Sequence, residues 1–227
     1  MKKAAKYALI KTIPIFLGYL FLGIAFGLLL QSKGLGVPWA FLISTLVYAG
    51  SMQFALVGIL AGGLGFLTTA VMTLFINSRH AFYGLTFIER FKEMKKSFPY
   101  MVFSLTDETY SLLCSMTRPA DFTDKQWKQA TLLVSLFDQC YWVLGSVLGA
   151  LAGQLITFDT TGIDFAMTAL FIVICVEQWK GAKTHLPALT GFACGILFLA
   201  LIRSSGFILP ALIAAVMLLM LMRKKIE

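Results

Sequence analysis

The chain has 227 residues, 59% of them hydrophobic and 13% charged, with a mean hydropathy of +0.83 and a formal charge of +8. That balance excludes a soluble domain and describes an integral membrane protein whose solvent is mostly lipid. A span needs about 20 mainly apolar residues, so the length admits roughly six to eight spans and no sizeable aqueous domain. One membrane domain over residues 1–227 is expected.

Lys2, Lys3, Lys6 and Lys11 precede the first apolar segment, 13–30, and Arg223 to Lys225 follow the last. Basic residues flanking apolar runs form a positive-inside pattern, which accounts for the net charge better than nucleic acid does. The first segment is too long for a signal-peptide core and lacks an A-x-A-like cleavage site, so it is expected to remain in the mature protein. Further apolar segments run over 38–60, 65–88, 98–116, 130–152, 165–179, 187–202 and 206–222. The fold class is therefore an all-α polytopic bundle of about seven or eight transmembrane or re-entrant segments, with broken helices among them.

Charge bias sets the topology. Lys180 and Lys183 mark a cytoplasmic loop, Asp159 and Asp164 an external one, and both termini are expected in the cytoplasm. Three full crossings in the first half would, however, put Arg90, Lys92, Lys95 and Lys96 outside. Either that loop is external, or one segment is re-entrant with its tip at Ala49-Gly50-Ser51 or at Asn77 to His80. Irregular backbone is tolerated at membrane depth where it is buried in protein or lines a cavity, and transporter sites are often built from such discontinuous helices.

Glycines at G-x-x-x-G spacing occur as Gly23 and Gly27, Gly58 and Gly62, Gly145, Gly149 and Gly153, and Gly191 and Gly195. Small residues at this spacing let helix backbones approach closely. The triple run points to a face against a neighbouring helix or a partner subunit. Cys114, Cys140, Cys175 and Cys194 stand alone in apolar runs, which indicates neither a disulfide framework nor a zinc site.

Asn77-Ser78-Arg79-His80 sits between nearly apolar stretches. A charged side chain there costs at least about 2.5–3.5 kcal/mol on insertion scales, so it marks a site by default. The guanidinium fork of Arg79 matches a carboxylate, His80 changes charge near neutral pH, and Asn77 and Tyr83 supply a polar lining. Thr106-Asp107-Glu108-Thr109 carries the opposite sign. A permanent structural pairing of Arg79 with Asp107 or Glu108 is the blander reading. Adjacent residues on a helix diverge by about 100°, so the two acids are expected to face different partners. An amphipathic surface element over 98–116 would instead leave both solvated.

Tyr48-Ala49-Gly50-Ser51-Met52-Gln53 offers hydroxyls and an amide for a carboxylate, an amine or exposed backbone, or for a polar helix contact. Asp138 is a well-buried acid whose nearby polar residues are Ser135 and Gln139. His80 and His185 fall in no metal-ligand spacing, and the chain holds no P-loop, G-x-S-x-G or dinucleotide fingerprint. No enzyme, cofactor or metal site is expected.

Taken in order, Pro14 with Gly18, Gly23 and Phe26-Gly27, then Tyr48 to Phe54, Asn77 to Gly84, Leu105 to Thr109, Ala169 to Ile172 and Val176 to Trp179 resemble the AzlC-type large subunit of bacterial branched-chain amino-acid exporters. The resemblance covers nearly the whole chain. It implies export of leucine, isoleucine and valine, and of methionine, across the bacterial inner membrane together with a small AzlD-type membrane subunit. On that footing Arg79 would take the substrate carboxylate, and Tyr48, Ser51, Gln53 or Asn77 the ammonium. Tyr83 would complete the lining, Phe54 and Phe82 would hold the aliphatic side chain, and His80, Asp107 or Glu108 would carry coupling protons. A channel or membrane scaffold, with structural polar clusters and no concentrative transport, is the competing expectation.

Overall fold

The computed structural model describes residues 2–63, 65–155, 165, 169, 172, 175, 176, 179, 180, 182, 184–203 and 207–222; for 79, 81, 82, 208 and 209 the description stops at the backbone. The described residues are helical, without strands, and fall into two compact units. The first comprises Met1–Gly62 with Asn77–Ala166, the second Gly63–Ile76 with Met167–Glu227. Lys183, expected in a cytoplasmic loop, Asp159 and Asp164, expected in an external one, and the C-terminal Arg223 to Lys225 lie outside the described residues.

Two long helices frame the first unit, α1 (Lys2–Ser32) and α7 (Asp124–Leu155). Among the described residues these two are long and apolar enough to cross a membrane. Their seam is made of glycine. A Cβ on Gly27 would collide with the Ser146 carbonyl oxygen and the Ala150 amide nitrogen, one on Gly149 with the Ile24 backbone, and one on Gly145 would lie 2.9 Å from the Leu20 carbonyl oxygen. Backbone cannot step aside as a side chain can, so only glycine lets the helices meet this closely. The Gly145–Gly149–Gly153 face is thus taken by α1 and is not open to a partner subunit. At Gly58, Gly191 and Gly195, by contrast, a Cβ would meet no described atom within 4 Å.

Between the frame helices the 38–60 segment is two helices, α2 (Val37–Leu46) and α3 (Gly50–Gly62). The break falls at Val47–Ala49, where Tyr48 adopts left-handed backbone (φ 39°). A β-carbon makes that conformation cost about 1–3 kcal/mol, and it persists only where surrounding structure enforces it. Beyond the break the chain turns back. The Gln53 amide reaches Ser44 across the break (3.4 Å), and Phe54 packs on Phe26, two turns nearer the end of α1 than Tyr19, the neighbour of Tyr48.

α4 (Phe66–Lys92) is continuous through Asn77 to His80, so no tip forms there. After a short 3₁₀ turn (Lys95–Ser97), the 98–116 segment also reverses, as α5 (Phe98–Phe103) and α6 (Asp107–Ser115) around Ser104–Thr106. Phe103 lies beside Tyr48 (ring centroids 6.2 Å apart), whereas the Leu113 carbonyl accepts from Arg90 (3.5 Å) and the Thr117 carbonyl from Tyr7 (3.0 Å). The two hairpins therefore enter from opposite ends of the unit, and their tips meet halfway along α7.

One end collects the basic residues. Ion pairs join Lys3 to Asp121, Arg118 to Asp124 and Lys128 to Glu93, and Arg90 donates to Thr131 (3.1 Å) while lying over Trp127. A cavity of about 240 Å³ opens among Arg90, Arg118, Asp124 and Lys128. The reversal of α2–α3 explains why Arg90 and its basic neighbours sit at the same end as the N-terminus, where counting three full crossings would have separated them; that of α5–α6 returns the chain to this end at Arg118.

In the second unit α8 (Leu186–Ile202) packs on α9 (Ile208–Leu221). Pro187 starts α8 and left-handed Arg203 ends it. All four cysteines are free thiols.

Candidate functional site

The hairpin tips gather polar side chains that the sequence scatters. Thr106 caps α6, its hydroxyl accepting from the Thr109 backbone N–H (3.3 Å), and Asp107 and Glu108 occupy the first turn, where carboxylates complement the helix dipole. From that turn the two acids diverge. Tyr83 of α4 donates to Asp107 (2.6 Å), and Tyr19 of α1 donates to Glu108 (2.8 Å).

His80 stands edge-on to Tyr83 (centroids 5.6 Å apart), its Nδ1 lies 3.2 Å from the Asn77 carbonyl oxygen, and Tyr83 stacks on Tyr110 at 4.2 Å. The expected residues His80, Tyr83 and Asp107 therefore form one cluster. The Arg79 side chain, and that of Phe82, lie outside the described residues, so neither enters the geometry.

A second line of contacts runs inward. The Tyr19 and Thr106 hydroxyl oxygens are 2.5 Å apart, the Thr106 and Thr109 hydroxyls 3.2 Å apart, and Thr109 donates to the Asp138 carboxylate (2.8 Å). Tyr19, Thr106, Thr109 and Asp138 are buried, whereas Glu108 at the outer end is exposed. The other Asp138 carboxylate oxygen, the Tyr48 hydroxyl and the Trp142 indole nitrogen are buried without a hydrogen-bond partner. A buried polar group without a partner costs about 1–3 kcal/mol, so three of them side by side mark a place shaped for something other than stability.

The remaining expected residues divide. Tyr48 lies at the tip, close to Glu108 and Asp138. Ser51 is partly buried in the first turn of α3. Gln53 is fully buried and holds the α2–α3 hairpin through Ser44, its carbonyl oxygen unpartnered. The Asn77 side-chain oxygen is also buried and unpartnered. Phe54 is sealed against Phe26. Tyr19, Thr106, Thr109 and Asp138 are residues of the row to which sequence reasoning gave no role in the site. Asp138 showed a signal, an acid inside an apolar run, but its hydroxyl partner comes from α6. No group of three or more metal-ligating residues occurs among the described residues.

The model of the family described as AzlC protein matches residues 14–156. The chain is 38% identical over 216 residues to the branched-chain amino acid transport protein AzlC of Bacillus subtilis strain 168, covering 95% of this chain and 84% of that one. It is 38% identical over 225 residues to an uncharacterized membrane protein of Helicobacter pylori strain 26695, covering 99% and 97%. To the inner membrane protein YgaZ of Escherichia coli K12 it is 26% identical over 196 residues, covering 82% and 78%. No solved structure matches the chain.

Proposed function

Because the chain belongs to the AzlC family, we propose that it is the large subunit of a proton-coupled exporter of leucine, isoleucine, valine and methionine in the bacterial cytoplasmic membrane, working with a small AzlD-type membrane subunit. The observation that carries this reading is the meeting of two reversed hairpins at a buried acid. Each tip brings non-helical backbone to the middle of α7, where the Tyr48 hydroxyl and one Asp138 carboxylate oxygen stay unpartnered, the arrangement by which discontinuous helices bind small zwitterions and ions. The amino-acid transport in the name of the Bacillus relative supports the substrate class.

In this reading Arg79 takes the substrate carboxylate. Tyr48 and Asn77 offer oxygens to the ammonium, with Ser51 beside them and Gln53 fixing the hairpin from inside. His80 and Asp107, joined through Tyr83, and Glu108 are the proton carriers. The basic end, with Lys3, Lys6, Arg90 and Arg118, faces the cytoplasm by the positive-inside rule, and the C-terminus lies on the same side.

Proteoliposomes containing both subunits, loaded with labelled leucine under an imposed pH gradient, test the whole reading. Saturable leucine flux accompanied by proton movement is expected, with little export from this chain alone. Flux that never saturates and moves no proton would make the protein a channel. Arg79→Lys keeps the charge but loses the planar fork, and is expected to weaken transport strongly while leaving expression intact. Unchanged export by that variant removes Arg79 from the site.

A further inference from the structure

Between Glu108 and Asp138 run four oxygen-to-oxygen hydrogen bonds in series: Glu108 to Tyr19 (2.8 Å), Tyr19 to Thr106 (2.5 Å), Thr106 to Thr109 (3.2 Å) and Thr109 to Asp138 (2.8 Å). Each link needs one hydrogen. The three hydroxyls supply one each, because a hydroxyl is a single donor with two acceptor lone pairs. With both carboxylates ionised, Tyr19 and Thr109 donate outward and Thr106 can fill only one of its two links, so the other holds two facing oxygens and no hydrogen. The row is complete only when one end carboxyl is protonated.

We propose that Glu108 and Asp138 share one proton, which Tyr19, Thr106 and Thr109 pass between the exposed and the buried carboxyl. The transfer balances. The Glu108 O–H bond breaks and its hydrogen goes to the Tyr19 oxygen; the hydrogens of Tyr19, Thr106 and Thr109 each move one oxygen inward; and an O–H bond forms on Asp138. Both directions leave every link filled, and the Thr106 oxygen still accepts the Thr109 backbone N–H in each. Asp138 is the resting place, because it is fully buried and neither end forms an ion pair among the described residues. A buried charge without a partner is costly. Among the described residues, the titratable groups around the two carboxyls are Asp107 next to Glu108, Tyr48 at the facing tip, and Tyr100 from α5, with Cys140 near Tyr100. None of these supplies a cation. The proposal rests on the proton-coupled reading and adds to it a buried terminus that Asp107 and Glu108 lack.

Infrared spectroscopy of the purified chain in detergent at neutral pH, without substrate, tests it. A protonated-carboxyl band is expected that shifts when aspartate carboxyls carry carbon-13 and that disappears in Asp138→Asn. Transfer to D₂O should shift the band rapidly in the wild type and at least about tenfold more slowly in Tyr19→Phe, which keeps the ring against Trp142 and removes only the hydroxyl. The isotope shift needs no variant, so a misfolded Asp138→Asn would not protect the idea. Absence of an aspartate band, or equal exchange in Tyr19→Phe and wild type, overturns it. Because no transport is measured, a chain that shows the band yet moves no leucine fails the exporter reading alone.

Discussion

Gly145 and Asp138 stand two turns apart on α7, yet the α1–α7 seam and the hairpin tips follow opposite rules. In the seam backbone touches backbone, and no added carbon fits at Gly27, Gly145 or Gly149. At the tips the backbone leaves helical geometry, and buried oxygens on Tyr48 and Asp138 stay unpartnered. The seam excludes alternatives and so holds a shape. The tips keep bonding capacity in reserve and so can receive a ligand or a proton.

The largest expected effect breaks the first half of that contrast. Gly149→Val should cost about 3 kcal/mol or more, since the new side chain meets immovable backbone of α1. Thermal unfolding in detergent measures it, and an unchanged melting temperature would mean that the seam is looser than its glycines imply. Gly191→Ala is the paired control and should change little, because nothing described lies within 4 Å of its added carbon.

Asp138→Asn addresses the tips. It should lower pH-driven leucine accumulation by at least about tenfold, while leucine exchange down its own gradient survives and the fold holds. Proteoliposome assays separate the two activities; equal loss of both would make Asp138 a scaffold residue.

Tyr48→Phe sharpens the comparison, because it removes an unpartnered buried hydroxyl. Stability should be unchanged or raised by up to about 1 kcal/mol while leucine transport slows, the signature of a group kept for function. Destabilisation would instead give the hydroxyl a structural partner.

The smallest effect is expected at the basic end. Lys3 beside Asp121 holds that carboxyl below the usual carboxylate range, so the pair contributes above the ordinary carboxylate pKa and its contribution is lost as pH falls through the depressed value. The pair is exposed, and Lys3→Ala should leave neutral-pH melting nearly unmoved, with any difference vanishing in acid or high salt. A large loss at neutral pH would show that the rim, as well as the seam, holds the frame.

Much of this architecture was legible in the residues. Long apolar runs foretold α1 and α7, and glycine beside serine after Tyr48 foretold a broken helix, though the break falls at Val47–Ala49 and Gly50 opens the next helix. The adjacency of Asp107 and Glu108 dictated their divergence. A re-entrant tip near Ala49 to Ser51 was one alternative that the charge count left open, whereas the α5–α6 reversal was not read, because such reversals depend on contacts such as Gln53 with Ser44 and Phe103 with Tyr48, which no single segment encodes. Asp138 escaped for the same reason: local sequence offers Ser135 and Gln139, whereas its partner Thr109 lies on another helix.

The opposed entry of the hairpins has a mechanical consequence. Each arm is rooted at one end of the unit and reaches the middle, where side chains of α1 and α7 hold its tip. Load applied at the basic end reaches the centre along the α5–α6 arm, whereas the α2–α3 arm is rooted at the other end. The arms meet where Tyr48 lies beside Phe103, and Gln139 of α7 bridges them by donating to the Thr45 carbonyl and accepting from Tyr100. Locking those two tips together would therefore couple movements that the chain's connectivity leaves independent.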